Sequence, residues 1–174
     1  MEDVDRVVEQ LTPKAYALGL RLTGNAQEAW DLAQNAMIKV LRHHEQYDPA
    51  YSVEQWLHQI LRHLYIDRLR AEGRRRESPL DAPPGEDRAA LSDTLAGPDP
   101  DPAQELARRE SADAVQAALT QLPLEQRMAV ALVDLEGYSY EEAAKVLELP
   151  ASTLGVYVFR GRKRLREKLR GWES

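Results

Sequence analysis

The chain contains no cysteine and a single phenylalanine among its 174 residues. The absence of cysteine excludes disulfide bonds, thiolate zinc sites, iron–sulfur clusters and cysteine nucleophiles. Few aromatic residues beside many leucines and alanines favour aliphatic helix packing over an aromatic β-core. No run approaches the roughly 18 apolar residues of a membrane helix, and the acidic N-terminus MEDVDRVVEQ lacks the apolar region of a signal peptide. We therefore expect a cytoplasmic protein without membrane insertion.

The negative charge of the chain is concentrated in its middle. The formal net charge is −6, and residues 77–102 hold seven acidic residues and one basic residue, whereas residues 1–76 and 103–174 are each neutral. Residues 77–102 also hold six of the ten prolines, a composition typical of a flexible linker. The sequence thus predicts two small domains, 1–76 and 103–174, joined by an acidic Pro-rich linker.

Apolar residues at helical spacing predict three helices in the first domain. The first helical pattern extends from Val4 to Leu22, and Pro13 is expected to mark a break or a new start within it. Two capping pairs mark the starts of the other helices: Asn25 with Glu28, and Ser52 with Gln55.

The second domain has the spacing of a helix-turn-helix. The pattern predicts helices over 103–119 and 123–135, then a short capped helix over 139–147, a turn over 148–150 and a longer helix over 151–169. No pair of strands is visible. The predicted fold class is all-α, with two small helical domains joined by a flexible linker and a helix-turn-helix in the second.

Two basic segments indicate nucleic-acid binding. Residues 160–170 hold seven basic residues and one acidic residue, on the helix that enters the DNA major groove in a helix-turn-helix. Residues 62–76 hold six arginines near Trp56 and Tyr65, a combination that suits single-stranded nucleic acid. A solvated charged face and a core tryptophan are the plain structural interpretations of the same residues.

The order and spacing of these features resemble a bacterial RNA polymerase sigma factor of the extracytoplasmic-function (ECF) group. The matching text is GNAQEAWDLAQNAMIKVL and VEQWLHQILRHLYIDRLR in the first domain, and ALTQLPLEQRMAVALVDLEGYSYEEAAKVLELPASTL in the second. The resemblance covers both domains and omits residues 77–102. It implies promoter-specific transcription initiation without enzymatic activity or a cofactor. The partners that it implies are the clamp and flap regions of core RNA polymerase, promoter DNA and an anti-sigma factor.

The resemblance also implies roles for individual residues. Those expected to grip the polymerase clamp are Glu28, Asp31, Gln34 and Asn35. Those expected to recognise and open the −10 element, which requires a pocket for a flipped base, are Tyr51, Trp56, His63, Asp67, Arg68 and Arg70. Those expected to bind the −35 duplex are Ser152, Thr153, Tyr157, Arg160, Arg162, Lys163 and Arg166.

Two positions depart from the family pattern. His63 stands where members commonly carry Asn, and Gly155-Val156-Tyr157 stands where Lys-Ser-Arg is common. Gly and Val side chains offer no hydrogen-bond donor. Recognition of the −35 element is therefore expected either to shift toward Tyr157 and the basic residues after it, or to be weak.

Three other interpretations compete with a sigma factor. A helix-turn-helix regulator that acts without polymerase would leave residues 1–76 without a role. An enzyme is disfavoured, because there is no phosphate-binding glycine loop and no Ser/His/Asp arrangement, and the four histidines do not pair on one helix face to form a metal site. A pure interaction module stays open, and binding to polymerase and promoter DNA together would separate the sigma factor from all three.

Overall fold

The part of the chain that the structure describes, residues 4–76 and 101–172 of a computed structural model, consists of helices and the turns between them. The helices are α1 Val4–Thr23, α2 Ala26–Arg42, α3 Val53–Arg76, α4 Pro102–Thr120, α5 Leu124–Val130, α6 Tyr140–Leu147 and α7 Ala151–Arg170. A 3₁₀ turn, His44–Gln46, follows α2, and a π-helical turn, Ala131–Leu135, continues α5. None of these helices combines the length and the hydrophobicity that a membrane span requires. The all-α fold class is confirmed.

We call residues 4–76 the N-terminal half and residues 101–172 the C-terminal half. The linker predicted over 77–102 lies outside the described residues, except for its last two positions. There, Asp101 caps α4 by accepting a hydrogen bond from the Ala103 N–H at 3.2 Å, and Pro102 is the first helical residue. The helix predicted from residue 103 therefore starts one position earlier.

Side-chain caps start three helices where the sequence predicted them. The bonds are Glu28 N to Asn25 Oδ1 at 3.0 Å, Gln55 N to Ser52 Oγ at 3.1 Å, and Glu142 N to Ser139 Oγ at 3.1 Å. The Gln55 and Glu142 side chains also accept from the backbone N–H of Ser52 and Ser139. Each cap satisfies an N–H group that has no partner within its own helix.

The break expected at Pro13 is wrong, because α1 continues through this residue. Proline has no N–H group, so the carbonyl of Glu9, four residues earlier, loses its usual helical donor. Leu11 and Ala15, on either side of Pro13, are nevertheless buried. Burial of this apolar stripe holds the segment helical where the local preference of proline opposes it.

Close helix crossings shape each half. In the N-terminal half, α3 packs on both α1 and α2, and a Cβ added at Gly19 of α1 would lie 3.1 Å from the Ala29 carbonyl oxygen of α2. In the C-terminal half, α7 packs on α5 and α6. A Cβ added at Gly161 of α7 would lie 2.6 Å from Val130 Cγ2 at the end of α5.

The two halves also pack against each other. Helix α3 contacts α6, and α1 contacts both α4 and α5. One apolar cluster contains buried residues of both halves, such as Leu22, Leu61, Met128 and Leu132. The sequence pattern predicted two domains and carried no signal for this contact between them.

Candidate polymerase and nucleic-acid interfaces

The predicted polymerase-docking residues lie along α2. Three of the four are exposed, on the side of the helix opposite its buried alanines: Asp31, Gln34 and Asn35. These three line one groove of about 410 Å³ together with Arg68 and Arg75 of α3. The fourth, Glu28, is half-buried, and its Oε1 lies 3.4 Å from Arg68 Nη2. The groove between α2 and α3 therefore combines carboxylate, amide and guanidinium groups.

Exposed apolar side chains extend this face of α2. Trp30, Ile38 and Leu41 are between 40% and 44% exposed, and with Gln34 they follow helical spacing along one side. The Trp30 ring stacks on Tyr16 of α1 with centroids 4.6 Å apart. A mixed aromatic and polar surface of this kind is typical of a protein–protein interface.

The residues of α3 predicted to contact the −10 element point in different directions. Those that share one exposed side are His63, Asp67 and Arg70. Trp56 is half-buried and packs against the core, with its ring centroid 5.3 Å from that of Tyr47. Arg68 faces α2 and forms ion pairs with Glu28 and Glu72. Only part of the predicted set thus forms a continuous surface.

The helix-turn-helix forms at its predicted position. Leu147 and Leu154 are fully buried where α6 meets α7, and Ala144 is 5% exposed. Glu148 ends α6 in the left-handed conformation, with φ 55° and ψ 42°, where glycine is the usual residue. For a residue with a Cβ this conformation costs about 1–2 kcal/mol.

The basic residues of α7 are not equivalent. Arg160, Lys163 and Arg166 are exposed. Arg162 is also exposed, but its guanidinium donates two hydrogen bonds to Asp134, from Nε at 3.0 Å and from Nη2 at 2.6 Å. These hydrogen bonds raise the pKa of Arg162 above its usual value. Arg162 is therefore already engaged with a carboxylate of its own chain.

The first turns of α7 present an apolar surface in place of the expected donors. Ser152 is exposed and Thr153 is partly exposed, but Tyr157, expected to read bases, is half-buried and packs against the core. Val156 and Phe159 are instead 45% and 65% exposed. Contact with thymine methyl groups is the base readout that such apolar side chains can supply. The sequence pattern did not indicate Phe159, because the base contacts expected on this helix were hydrogen bonds.

A buried arginine fastens the C-terminal half to the end of α1. Arg127 of α5 is 9% exposed. It donates to four oxygens: the carbonyls of Leu22, Thr120 and Leu122, and the hydroxyl of Tyr65. Gln116 of α4 adds a bond of 2.8 Å to the Leu20 carbonyl. The Leu20 carbonyl also accepts from the Gly24 N–H at 2.8 Å. Arg127 and Gln116 therefore add donors from the other half to carbonyls at the end of α1.

A second junction joins α3 to the loop before α6. His58 is 1% exposed, and its Nδ1 lies 2.7 Å from the Tyr138 hydroxyl. Burial lowers the pKa of His58 to about 4, and the nearby Lys14 ammonium acts in the same direction. Burial also raises the pKa of Tyr138, and the carboxylates of Glu136 and Glu142 raise it further. Both groups are neutral at pH 7, so the hydrogen bond between His58 and Tyr138 joins the two halves without an ion pair.

The turn of the helix-turn-helix lies against α3 as well. Glu148 Oε2 is 3.6 Å from Arg62 Nη1 and 3.5 Å from His63 Nε2. Gln59 Nε2 donates to the Lys145 carbonyl at 3.1 Å. Tyr51, the predicted −10 residue in the loop before α3, lines a groove of about 540 Å³ that also includes Glu148. The structure therefore brings residues predicted for the −10 element next to those that precede the −35 helix.

Known protein families match each half of the chain separately, and known proteins match it over most of its length. Residues 7–75 match the family described as Sigma-70 region 2, and residues 112–165 match Sigma-70, region 4. The ECF RNA polymerase sigma factor SigE of Mycolicibacterium smegmatis is 38% identical over 97% of this chain, which spans 62% of that relative. The ECF RNA polymerase sigma factor EcfG of Rhodopseudomonas palustris is 31% identical over 88% of this chain and 77% of its own length.

A solved structure shows the same fold. It is the sigma factor RpoE in complex with the anti-sigma factor NepR from Bartonella quintana, and it aligns over 98% of both chains with a TM-score of 0.76 and 24% sequence identity. Similarity at this level of identity concerns the arrangement of the helices.

Proposed function

The chain belongs to the ECF RNA polymerase sigma factors, and on that basis we propose that it directs core RNA polymerase to specific promoters. The observation that supports this most strongly is the order of the two matches, region 2 in the N-terminal half followed by region 4 with its helix-turn-helix. A regulator that acts without polymerase would use only the second. The chain acts by binding, without a catalytic step of its own, and in the cytoplasm, where transcription takes place.

In this proposal the domains are those expected from the sequence, 1–76 and 103–174, with 77–102 between them. The first docks on the polymerase clamp through the groove between α2 and α3. That groove offers Asp31, Gln34 and Asn35, and the exposed Trp30 beside it supplies apolar contact area. The second domain contacts the flap region and the −35 duplex.

Promoter DNA meets both halves. On α3, the exposed side that contains His63, Asp67 and Arg70 faces the −10 element, with Tyr51, Trp56 and Arg68 around it. On α7, Ser152 and Thr153 lie at the helix start, and Arg160, Lys163 and Arg166 reach phosphates, which position the helix without reading the sequence. Val156 and Phe159 add apolar base contacts, while Tyr157 packs against the core and Arg162 pairs with Asp134.

An anti-sigma factor is the third partner that we propose. The RpoE protein of similar fold was solved with the anti-sigma factor NepR. A protein that binds both halves of this chain would keep α2, α3 and α7 from polymerase and DNA together.

A run-off transcription assay tests the proposal. Purified chain is added to core RNA polymerase with a library of genomic promoter fragments, and core enzyme alone serves as the control. We expect initiation from a restricted subset of promoters, and co-elution of the chain with core enzyme. A chain that neither co-elutes nor supports initiation on any fragment would overturn the proposal.

A charge reversal separates polymerase docking from folding. Asp31→Arg should weaken core binding with unchanged helix content, because Asp31 is exposed and lines the groove. Asp113→Arg, the same change at an exposed position of α4, is the matched control and should leave core binding unchanged. Equal affinities of the two variants, measured by titration with labelled core enzyme, would argue against this docking face.

A further inference from the structure

The contact between Glu148 and α3 has no role in building the helix-turn-helix itself. The end of α6 is capped by the backbone, since the Glu148 N–H group bonds to the carbonyls of Ala144 and Lys145. The Glu148 carboxylate points to the other half, to Arg62 and His63. Nothing in the local fold of the turn requires a carboxylate at this position.

The backbone conformation of Glu148 is one that glycine adopts more easily than glutamate. Glu148 is the one non-glycine residue with a positive φ among residues 4–76 and 101–172. Glycine adopts this conformation without steric cost and commonly follows the last residue of a helix. A strained glutamate in place of the favoured glycine indicates that its side chain does something that glycine could not.

The two residues that Glu148 holds lie on the helix proposed to bind the −10 element. The Arg62 side chain is 13% exposed, and Glu148 is its one ion-pair partner among the described residues, while its Nε is buried without a hydrogen bond. The His63 side chain is 49% exposed and lies at the same carboxylate. DNA phosphates present negative oxygens to just such groups. The Glu148 carboxylate therefore competes with such oxygens for Arg62 and His63.

We propose that Glu148 is an autoinhibitory latch. In the free chain it holds the turn of the helix-turn-helix against α3 and masks Arg62 and His63 from promoter DNA; the latch rests on the proposed role of α3 in −10 binding. The bond from Gln59 to the Lys145 carbonyl and the groove that Tyr51 shares with Glu148 belong to the same closed contact. Binding to polymerase and promoter separates α6 from α3 and frees the masked face.

Two substitutions test the latch without endangering the fold. Glu148→Gly removes the carboxylate and relieves the left-handed conformation, so a loss of folding does not accompany it. Glu148→Gln removes only the charge. Glu141→Gln is the matched control, because Glu141 lies on α6, is exposed and lines the same groove, and no ion pair between it and α3 is present in the described part of the chain.

Two measurements on the free, full-length chain report the state of the latch. Because the chain has no cysteine, fluorophores can be attached at Glu45→Cys and Glu167→Cys, one in each half, and energy transfer reports their separation. Anisotropy reports binding to a single-stranded oligonucleotide with the −10 sequence of a promoter found by run-off transcription. We expect both Glu148 variants to bind the oligonucleotide about fivefold more tightly, the value of one exposed ion pair, while Glu141→Gln matches the parent. Energy transfer should be unchanged in all three variants, because the shared core and Arg127 still hold the halves together.

Each outcome decides the proposal. If the Glu148 variants match Glu141→Gln in affinity for the oligonucleotide, there is no latch. If their affinity rises only together with a fall in energy transfer, the halves have come apart as a whole, and the proposal of a local latch is equally overturned. Initiation by the wild-type chain with core polymerase tests the proposed function separately, so the latch can fail while the sigma-factor activity stands.

Discussion

Single buried side chains hold the two halves together through partners far away in the sequence. Arg127 bonds to Leu22, 105 residues earlier, and to Tyr65, 62 residues earlier. His58 and Tyr138 are 80 residues apart. A buried polar group that loses its partner costs about 1–3 kcal/mol. Residues at this junction therefore couple the stability of the N-terminal half to that of the C-terminal half.

The burial of His58 predicts a loss of stability at mildly acidic pH. Its pKa is about 4 in the folded chain, against an ordinary value of 6.5. Between these values the unfolded state binds more protons than the folded state, so the free energy of unfolding falls as the pH falls from 6.5 to 4. At about 1.4 kcal/mol per pKa unit, the total loss is about 3 kcal/mol.

His58→Asn tests this, because it keeps a polar atom near Tyr138 without a titrating ring. Urea unfolding of both proteins at pH 7, 6 and 5 should show a shallower pH dependence for the variant. Contributions of carboxylates common to both proteins cancel in the difference. Identical pH dependence would mean that His58 does not resist protonation in the folded chain.

Helix α7 contains two glycines with opposite surroundings. A Cβ at Gly161 would lie 2.6 Å from Val130 Cγ2 and 3.2 Å from the Gln126 carbonyl oxygen. A Cβ at Gly155 would meet only the Tyr140 ring, at an ordinary contact distance of 3.8 Å. Gly161 lets α7 cross α5 closely, whereas Gly155 does not lie at a close crossing.

Alanine at these two positions should therefore have opposite effects on stability. Gly161→Ala should lower the free energy of unfolding by about 1–3 kcal/mol, because it overpacks the α5–α7 crossing. Gly155→Ala should raise it by up to about 1 kcal/mol, because alanine is the better helix former. Thermal and urea unfolding of the two variants measures both, and a stabilising Gly161→Ala would contradict the observed crossing.

The basic residues of α7 are expected to contribute unequally to duplex binding. Each phosphate contact adds about one unit to the salt dependence of affinity. Arg160→Ala should lower the slope by about one unit for all −35 sequences, because Arg160 is exposed and proposed to bind phosphate. Arg162 is paired with Asp134. A variant that removes both charges together should therefore leave the salt dependence of duplex affinity unchanged.

The comparison uses the double variant Asp134→Asn with Arg162→Gln, which preserves net charge. Binding to −35 duplexes over a salt series gives both slopes. A double variant whose slope falls as much as that of Arg160→Ala would show that Arg162 leaves Asp134 to contact DNA.

The continuous core predicts that the two halves unfold together. Buried residues of both halves share one apolar cluster, and Arg127 bonds the halves at four oxygens. Amide exchange of α1 and α7 followed through a urea series should therefore give coincident midpoints. Two separate midpoints in the wild-type chain would mean that the halves are independent.

Arg127→Met should separate those midpoints and lower the free energy of unfolding by about 3 kcal/mol, because buried carbonyls lose their donor. Arg108→Met is the control, since the Arg108 side chain is 65% exposed and surface substitutions usually change stability by less than about 0.5 kcal/mol.

Local interactions made much of this fold predictable from the sequence. The caps at Asn25, Ser52 and Ser139 join a side chain to a backbone group three residues away, so a short pattern contains both partners. The helix-turn-helix was predictable for the same reason, as its spacing and its buried Leu147 and Leu154 lie within a few turns of each other. The exposed side of α2 also followed from helical periodicity.

Tertiary packing decided what local patterns could not. Burial of Leu11 and Ala15 overrode the helix break expected at Pro13. Tyr157 turned out to pack against the core, Arg162 to pair with a residue 28 positions away, and Glu148 to reach α3. In each case the deciding contact is tertiary and lies outside any local sequence pattern. A sequence specifies the periodicity and capping of each helix, but which faces meet depends on how the helices share one core, and that is settled only when the chain is folded.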